Sequence, residues 1–301
     1  MRIEIAICTW NRSALLAKTL DQFCQLRPPA GADWRLLVVN NNCTDRTTDV
    51  LQSFESRLPL RWVVEREAGL SHARNRAIAE GRGDYLVWTD DDVLVAPDWL
   101  EAYAAAFREH PESAFFGGPV DPWFEGRPPR WLSTNLQEVA IAFALRQFGD
   151  ATFRFDSARV PFGANCAFRR DVQRDFRYDP ALGRAPGRNV SGEETEVMRQ
   201  MMAAGFNGWW VPGARVRHFI PRERQTLRYV RRIFVGAGEL SALSLDGTGV
   251  PRLFGRPRWL LRQALLAEGR YRWSRVTARS DVWIPRLIHA ARAWGRLKAA
   301  P

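Results

Sequence analysis

The chain is short of cysteine, of long apolar runs and, over its last quarter, of acidic residues, and each shortage excludes something. Four cysteines, Cys8, Cys24, Cys43 and Cys166, stand far apart with no C-x-x-C pair, so neither a zinc site nor a dithiol centre is built from them. They read as reduced thiols of a cytoplasmic protein. No apolar stretch reaches the roughly 18 residues of a membrane-spanning helix. Met1-Arg2-Ile3-Glu4-Ile5 enters a strand pattern at once, without the apolar core of a secretory signal. Asn189-Val190-Ser191 matches a glycosylation acceptor, and without a secretory signal the acceptor-like match is taken as chance. Repeats and low-complexity tracts are also missing. From Arg222 to Pro301 there are 17 Lys/Arg against 5 Asp/Glu, a net +12 in a chain of +11, which leaves the first 221 residues at −1. Whatever the cationic excess binds, it belongs to that last quarter.

What is present is an alternation of strand and helix patterns. Residues 3–8 are an apolar run of strand length, broken by Thr9-Trp10-Asn11-Arg12. From Ser13 the spacing is helical, with Leu16, Leu20 and Phe23 on one face until Pro28-Pro29. Residues 35–39 form a second strand ending in Asn40-Asn41-Asn42. Thr44 and Asp45 then offer caps to a helix through Leu51, Phe54 and Leu58. A third strand (60–64), a third helix (71–80) and a fourth strand (85–88) follow. Strands spaced by such helices pair in parallel through right-handed crossovers, so the loops after Cys8, Val39 and Trp88 share one sheet edge. Further on, the pattern predicts a helix over 97–109, entered through a proline, and a strand over 114–117. Residues 121–162 have no clear period, and we read them as irregular. A strand over 162–168 carries Gly163 and Asn165, which suggest backbone close to a ligand. A helix opens at Gly192-Glu193-Glu194, and short strands are expected over 208–211 and 214–218. Beyond Thr226, helical patterns cover 226–245, 258–268 and 282–297, with arginines beside Trp259, Trp273, Trp283 and Trp294.

The densest chemistry is Thr89-Asp90-Asp91-Asp92, where the fourth strand gives out. Adjacent carboxylates repel, so such a cluster needs a cation or a wet surface. It also lies at the carboxyl end of a buried strand, where ligands of open α/β sheets bind. Alone it is either a metal-diphosphate site or an Asp-rich turn whose charges are solvated.

Taken in order, Cys8-Thr9-Trp10-Asn11-Arg12, Val39-Asn40-Asn41-Asn42-Cys43-Thr44-Asp45, Ala73-Arg74-Asn75, Thr89-Asp90-Asp91-Asp92, Gly163-Ala164-Asn165, Gly192-Glu193-Glu194 and Val216-Arg217-His218 resemble the motifs of family 2 inverting glycosyltransferases with the GT-A fold. The resemblance implies an α/β, Rossmann-like sandwich on a central mixed, mostly parallel sheet over residues 1–221. Its donor half would be about 1–118 and its acceptor half about 119–221, with a basic Trp/Arg-rich helical region over 222–301. The implied reaction moves a sugar from a nucleotide-diphosphate sugar to a hydroxyl by metal-assisted single displacement, in polysaccharide or glycolipid assembly. Asp91 is then the direct ligand of Mg²⁺ or Mn²⁺, Asp92 a second candidate and Asp90 the residue nearer the ribose; His218 completes the metal shell or contacts phosphate. Glu194 is the base that deprotonates the acceptor, with Glu193 placing acceptor or base; the family usually carries Asp where Glu194 stands. Donor contacts are expected from Thr9, Asn11, Arg12, Asn40, Asn42, Arg74 and Asn165. Asn40 replaces the aspartate that meets uracil in the family, so a UDP-sugar is favoured only weakly.

Against these roles stand plainer ones: a structural His218, a solvated Arg74, and glutamates that merely suit a helix N-terminus. The basic, Trp-bearing tail suggests peripheral contact with an anionic membrane on its cytoplasmic face and a glycan or lipid-linked acceptor. It could equally cover the main domain or a homodimer contact. Two other classes compete. A sugar-phosphate nucleotidyltransferase would show a Gly-rich loop after the first strand, and residues 8–12 contain no glycine. A nucleic-acid-binding module would draw on the tail alone, so no nucleic-acid partner is expected. The Gln-x-x-Arg-Trp motif of processive polymerases is also missing, since Gly126-Arg127-Pro128-Pro129 precedes Arg130-Trp131. One transfer per encounter is expected.

Overall fold

The computed structural model describes residues 1–185, 188–189, 192–242, 251–253 and 255–300. Val190 and Ser191 of the acceptor-like match, and residues 243–245 of one expected helix, lie outside them. The alternation read from the sequence is there: β1 (Arg2–Thr9), α1 (Ser13–Phe23), β2 (Asp33–Asn41), α2 (Thr47–Phe54), β3 (Leu60–Glu65), α3 (Leu70–Glu80) and β4 (Tyr85–Asp90). Then come β5 (Val93–Val95), α4 (Trp99–Glu109), β6 (Phe115–Gly117), β7 (Val120–Phe124), α5 (Arg130–Thr134), α6 (Leu136–Val139), β8 (Asn165–Arg169), α7 (Arg170–Gln173) and the pair β9 (Arg184–Ala185) and β10 (Arg188–Asn189). The chain closes with α8 (Glu193–Ala203), β11 (Gly208–Trp210), β12 (Val216–Ile220), α9 (Leu227–Ala242), β13 (Arg252–Leu253), β14 (Arg256–Pro257), α10 (Arg258–Thr277) and α11 (Ser280–Ala299).

Seven strands form the main sheet in the order β11-β6-β8-β4-β1-β2-β3. All neighbours are parallel except β8, which runs antiparallel to β4 and β6, so the sheet is mixed and mostly parallel. Helices cover both faces, and the central strands are accordingly apolar on both sides: Ile5, Ala6, Ile7, Leu36 to Val39, and Leu86 to Trp88 are all buried. Trimming one of these aliphatic side chains to Ala would cost about 2–5 kcal/mol.

The order of the strands fixes where a ligand can enter. From β1 the chain builds outward to β2 and β3, then α3 brings it back so that β4 lies on the other side of β1. The crevice at such a reversal, outside the carboxyl ends of the strands, is where open α/β sheets bind ligands. The register sets Cys8 of β1 beside Asp90 of β4 and Thr9 beside Asn40 of β2, which brings the three polar loops together.

Two compact units divide the chain, and not along the linear boundary expected at residue 221. One comprises 1–122 and 144–219; the other comprises 123–143 and 220–301. Residues 123–143, expected in an irregular acceptor half, contribute α5 and α6 to the second unit. In that unit α9 and α11 cross with their backbones in contact. A methyl group at Gly238 would strike the carbonyl of Arg292, and one at Gly295 the carbonyl of Val235. Glu268 of α10 ties the three long helices, accepting from Arg231 of α9 (2.7 Å) and from Nε1 of Trp294 of α11 (3.2 Å). Among the described residues no helix is long and apolar enough to cross a membrane.

Candidate active site

The site starts with two loops stitched together. Asn11 follows β1 in a left-handed conformation (φ 52°), which asparagine tolerates better than most residues. Its Oδ1 accepts from the backbone N–H of Thr44 at 2.7 Å, while Asp45 accepts from the N–H of Ser13 at 2.9 Å. Asp45 also accepts from the N–H of Thr47 at 3.1 Å, a local turn that delays the start of α2 beyond the Thr44-Asp45 caps expected. Asn40 is buried: its Oδ1 accepts from Cys43 N–H (3.1 Å) and its Nδ2 donates to Thr48 Oγ1 (3.3 Å). Asn42 is exposed at φ 55°, on the loop's outer side. Its neighbour Asn41, which the sequence reading passed over, ties β2 to the β3–α3 loop through Glu67 O (2.6 Å) and Gly69 N–H (3.0 Å).

The acidic run resolves into three different environments. Trp88 lies under the Arg74 guanidinium of α3, 5.8 Å from ring centre, and the period of two sends Asp90 to that side and Asp91 to the other. There Asp91 is enclosed: Oδ2 accepts from Thr9 Oγ1 (2.7 Å), Oδ1 from Arg12 (3.0 Å), and its backbone carbonyl from Thr19 Oγ1 (2.9 Å). Burial raises the Asp91 carboxyl to about 7, against the pull of Arg12 and with the push of Asp92. Both of its oxygens face protein donors in this structure. Asp92 is equally buried. Arg12 takes its Oδ2 at 2.8 Å, but Oδ1 lies 3.4 Å from His218 Nε2. β12 delivers that histidine by pairing with β5, His218 opposite Val93, and Phe219 N–H donates to Asp92 O at 2.9 Å. Burial opposes the Arg12 charge, yet Asp91 and Asp92 outweigh it and hold its pKa above the ordinary arginine value.

Arg74 organises a second cluster on the same sheet. It is buried, with Nη1 3.1 Å from Glu193 Oε1 and 3.8 Å from Glu194 Oε2, and its guanidinium stands 5.1 Å over Tyr178. In this structure its charge is paired with the two glutamates. Gly192, at φ 111°, turns the chain into α8 so that both glutamates occupy the positive end of that helix. Glu194 Oε1 accepts from Gly163 N–H at 3.3 Å, and a methyl group at Gly163 would run into Arg74. Burial lifts the Glu193 carboxyl above the usual range despite Arg74, and its Oε2 has no hydrogen-bond partner among the described residues. A residue the sequence reading missed is Arg146, stacked 3.8 Å over Phe162 and influenced by the charge of Glu194. Burial holds its pKa below the ordinary value.

Asn165 also differs from expectation. It opens β8 inside the sheet, wholly buried, accepting from Trp99 Nε1 (2.9 Å) and Tyr103 Oη (2.8 Å) and donating to the carbonyls of Pro119 (2.9 Å) and Ala214 (2.7 Å). Its amide is saturated by protein and locks the sheet instead of meeting a donor. Asn165→Ala removes the side-chain partner of Trp99 Nε1, Tyr103 Oη and the Ala214 carbonyl, while the Pro119 carbonyl keeps Val216 N–H, and should lower unfolding free energy by about 3 kcal/mol or more, read from the urea midpoint at unchanged slope.

A mixed sheet that reverses its strand order beside β1, with acidic residues at one strand end and paired carboxylates at a helix N-terminus, has the architecture of a GT-A glycosyltransferase. A solved structure shares the fold: the mannosyltransferase PcManGT from Pyrobaculum calidifontis, in complex with GDP-Man and Mn²⁺, superposes with a TM-score of 0.60 over 98% of this chain and 86% of that one, at 20% identity. The pattern of Glycosyl transferase family 2 matches residues 4–176, and the chain belongs to that family. Among curated relatives, the succinoglycan biosynthesis protein ExoM of Rhizobium meliloti (strain 1021) is 25% identical over 237 residues, 77% of this chain and 71% of the relative. The glucosyl-dolichyl phosphate glucuronosyltransferase of Haloferax volcanii is 28% identical over 225 residues, 72% of this chain and 69% of the relative.

Proposed function

We propose that this protein transfers a sugar from a nucleoside-diphosphate sugar to an acceptor hydroxyl with inversion at the anomeric carbon. The observation that carries the reading is the Arg74-held pair Glu193 and Glu194 on the same sheet edge as Asp90, Asp92 and His218. Glu194 takes the acceptor proton as its oxygen attacks the anomeric carbon, and the bond to the diphosphate breaks on the opposite face. Glu193 and Arg74 keep that carboxylate oriented. Asn11, Arg12 and the Asn40 loop line the donor side.

Asp92 and His218 also fit a divalent cation. Among the described residues no cluster of three or more His, Cys, Asp or Glu could hold a metal by itself. Mg²⁺ and Mn²⁺ do not require one, because they take one or two protein ligands and complete their shell with phosphate oxygens and water. Such an ion would neutralise charge on the departing nucleoside diphosphate. That PcManGT was solved with GDP-Man and Mn²⁺ supports the assignment, and the naming of ExoM for succinoglycan biosynthesis supports an acceptor in polysaccharide or glycolipid assembly.

A thermal-shift panel of nucleoside diphosphates with and without Mn²⁺ tests this reading. At about 100 times Kd, a matched diphosphate with Mn²⁺ should add about 2.7 kcal/mol, a rise of roughly 5–10 °C in Tm. No shift with any nucleotide would overturn the transferase reading; an equal shift without Mn²⁺ would remove the cation from it. The same purified protein, screened against nucleotide sugars for slow donor hydrolysis, should identify the sugar and base.

A further inference from the structure

We infer that the outward face of α10 seats on an anionic lipid bilayer. The helix buries Leu260, Ala264, Ala267 and Tyr271 along its inner face. A helix that faces water would be polar on the opposite side. This one is not. Trp259, Leu266 and Trp273 are 47%, 51% and 71% exposed, and Val276 extends the row at 87%. Trp259, Leu266 and Trp273 lie two turns apart, so at 1.5 Å per residue the row they form is about 21 Å long.

The charge on that face has one sign. Arg258, Arg262 and Arg270 are exposed around the apolar row and form no ion pair with any described residue. The helix has a single acidic residue, Glu268, and Arg231, Arg272 and Trp294 engage it at the flank. Two copies of this face would set arginines against arginines, which disfavours a self-complementary pair. Nucleic acid would suit the arginines and leave Leu266 and Val276 without a role. A bilayer interface accommodates all of them: indoles at headgroup depth, aliphatic side chains toward the acyl chains and guanidinium groups on lipid phosphates. This placement does not depend on the transfer chemistry.

The test uses the full chain and vesicles of equal parts phosphatidylglycerol and phosphatidylcholine, with pure phosphatidylcholine as control. The protein should sediment with the mixed vesicles, less so as salt rises, and not with the control. The triple variant Trp259→Ser, Leu266→Ser, Trp273→Ser and the double variant Arg262→Glu, Arg270→Glu should each lower the partition coefficient at least about tenfold at unchanged Tm, because the altered side chains are exposed. Failure of the wild type to bind mixed vesicles, or wild-type binding by either variant, would overturn the inference. So would a dimer that the serine variant converts to monomer without vesicles, or binding to single-stranded RNA in preference to the vesicles.

Discussion

Glu194→Gln is expected to bind its nucleotide-sugar donor with wild-type affinity and to lose transfer by about 10²–10⁴-fold in kcat. The substitution keeps the size of the side chain and the oxygen that accepts from Gly163 N–H, so the entry to α8 should hold its form. What disappears is the capacity to take a proton. Glu193→Gln separates this role from a merely structural one. It removes the main partner of a buried Arg74, and breaking a buried ion pair from one side typically costs about 3–5 kcal/mol. The Glu193 variant should therefore lose stability first and activity as a consequence, whereas the Glu194 variant should keep its urea midpoint. Steady-state kinetics beside donor binding by calorimetry decide the matter. Unchanged turnover in Glu194→Gln would remove it as the base.

Asp92→Asn should abolish most of the Mn²⁺-dependent stabilisation by a nucleoside diphosphate and lower kcat by about 10²–10³-fold, the range seen when one electrostatic group serving developing charge is removed. Asp91→Asn offers the informative contrast. Asp91 is held by Thr9 and Arg12, so its loss should loosen the β1 and β4 ends and lower Tm while leaving the Mn²⁺ concentration for half-maximal rate near wild type. Titrating Mn²⁺ against rate for both variants separates the two. If Asp91→Asn shifts the Mn²⁺ requirement and Asp92→Asn does not, the ligand assignment is reversed.

The difference between those neighbours shows what was legible in the chain and what was not. The central strands declared themselves because they are buried on both faces and read as short apolar runs. The shared edge of their loops followed from parallel crossovers. Which aspartate faces which partner did not follow, since it depends on the phase of β4 where the strand ends and on partners about 80 residues away. Asn165 misled for a related reason. An asparagine beside a glycine resembles a ligand loop, and only the arrival of Trp99, Tyr103, Pro119 and Ala214 makes it an interior anchor. Arg74 was noticed as a cation in the right helix, but its pairing with Glu193 joins residues 119 positions apart and leaves no local trace. Residues 123–143 showed no period because α5 and α6 are very short helices.

The membership of that same segment bears on how the protein comes off the ribosome. Residues 123–143 are made early, yet the helices they join begin only after residue 220. At about 5–20 residues per second the gap lasts roughly 4–15 s, during which Phe143 lacks Tyr229, on which its ring later stacks. The first unit is itself complete only as that interval ends, because it includes residues 144–219. The second is completed only when its last helix emerges, which makes late truncations of this chain a hazard for solubility before they become a test of activity.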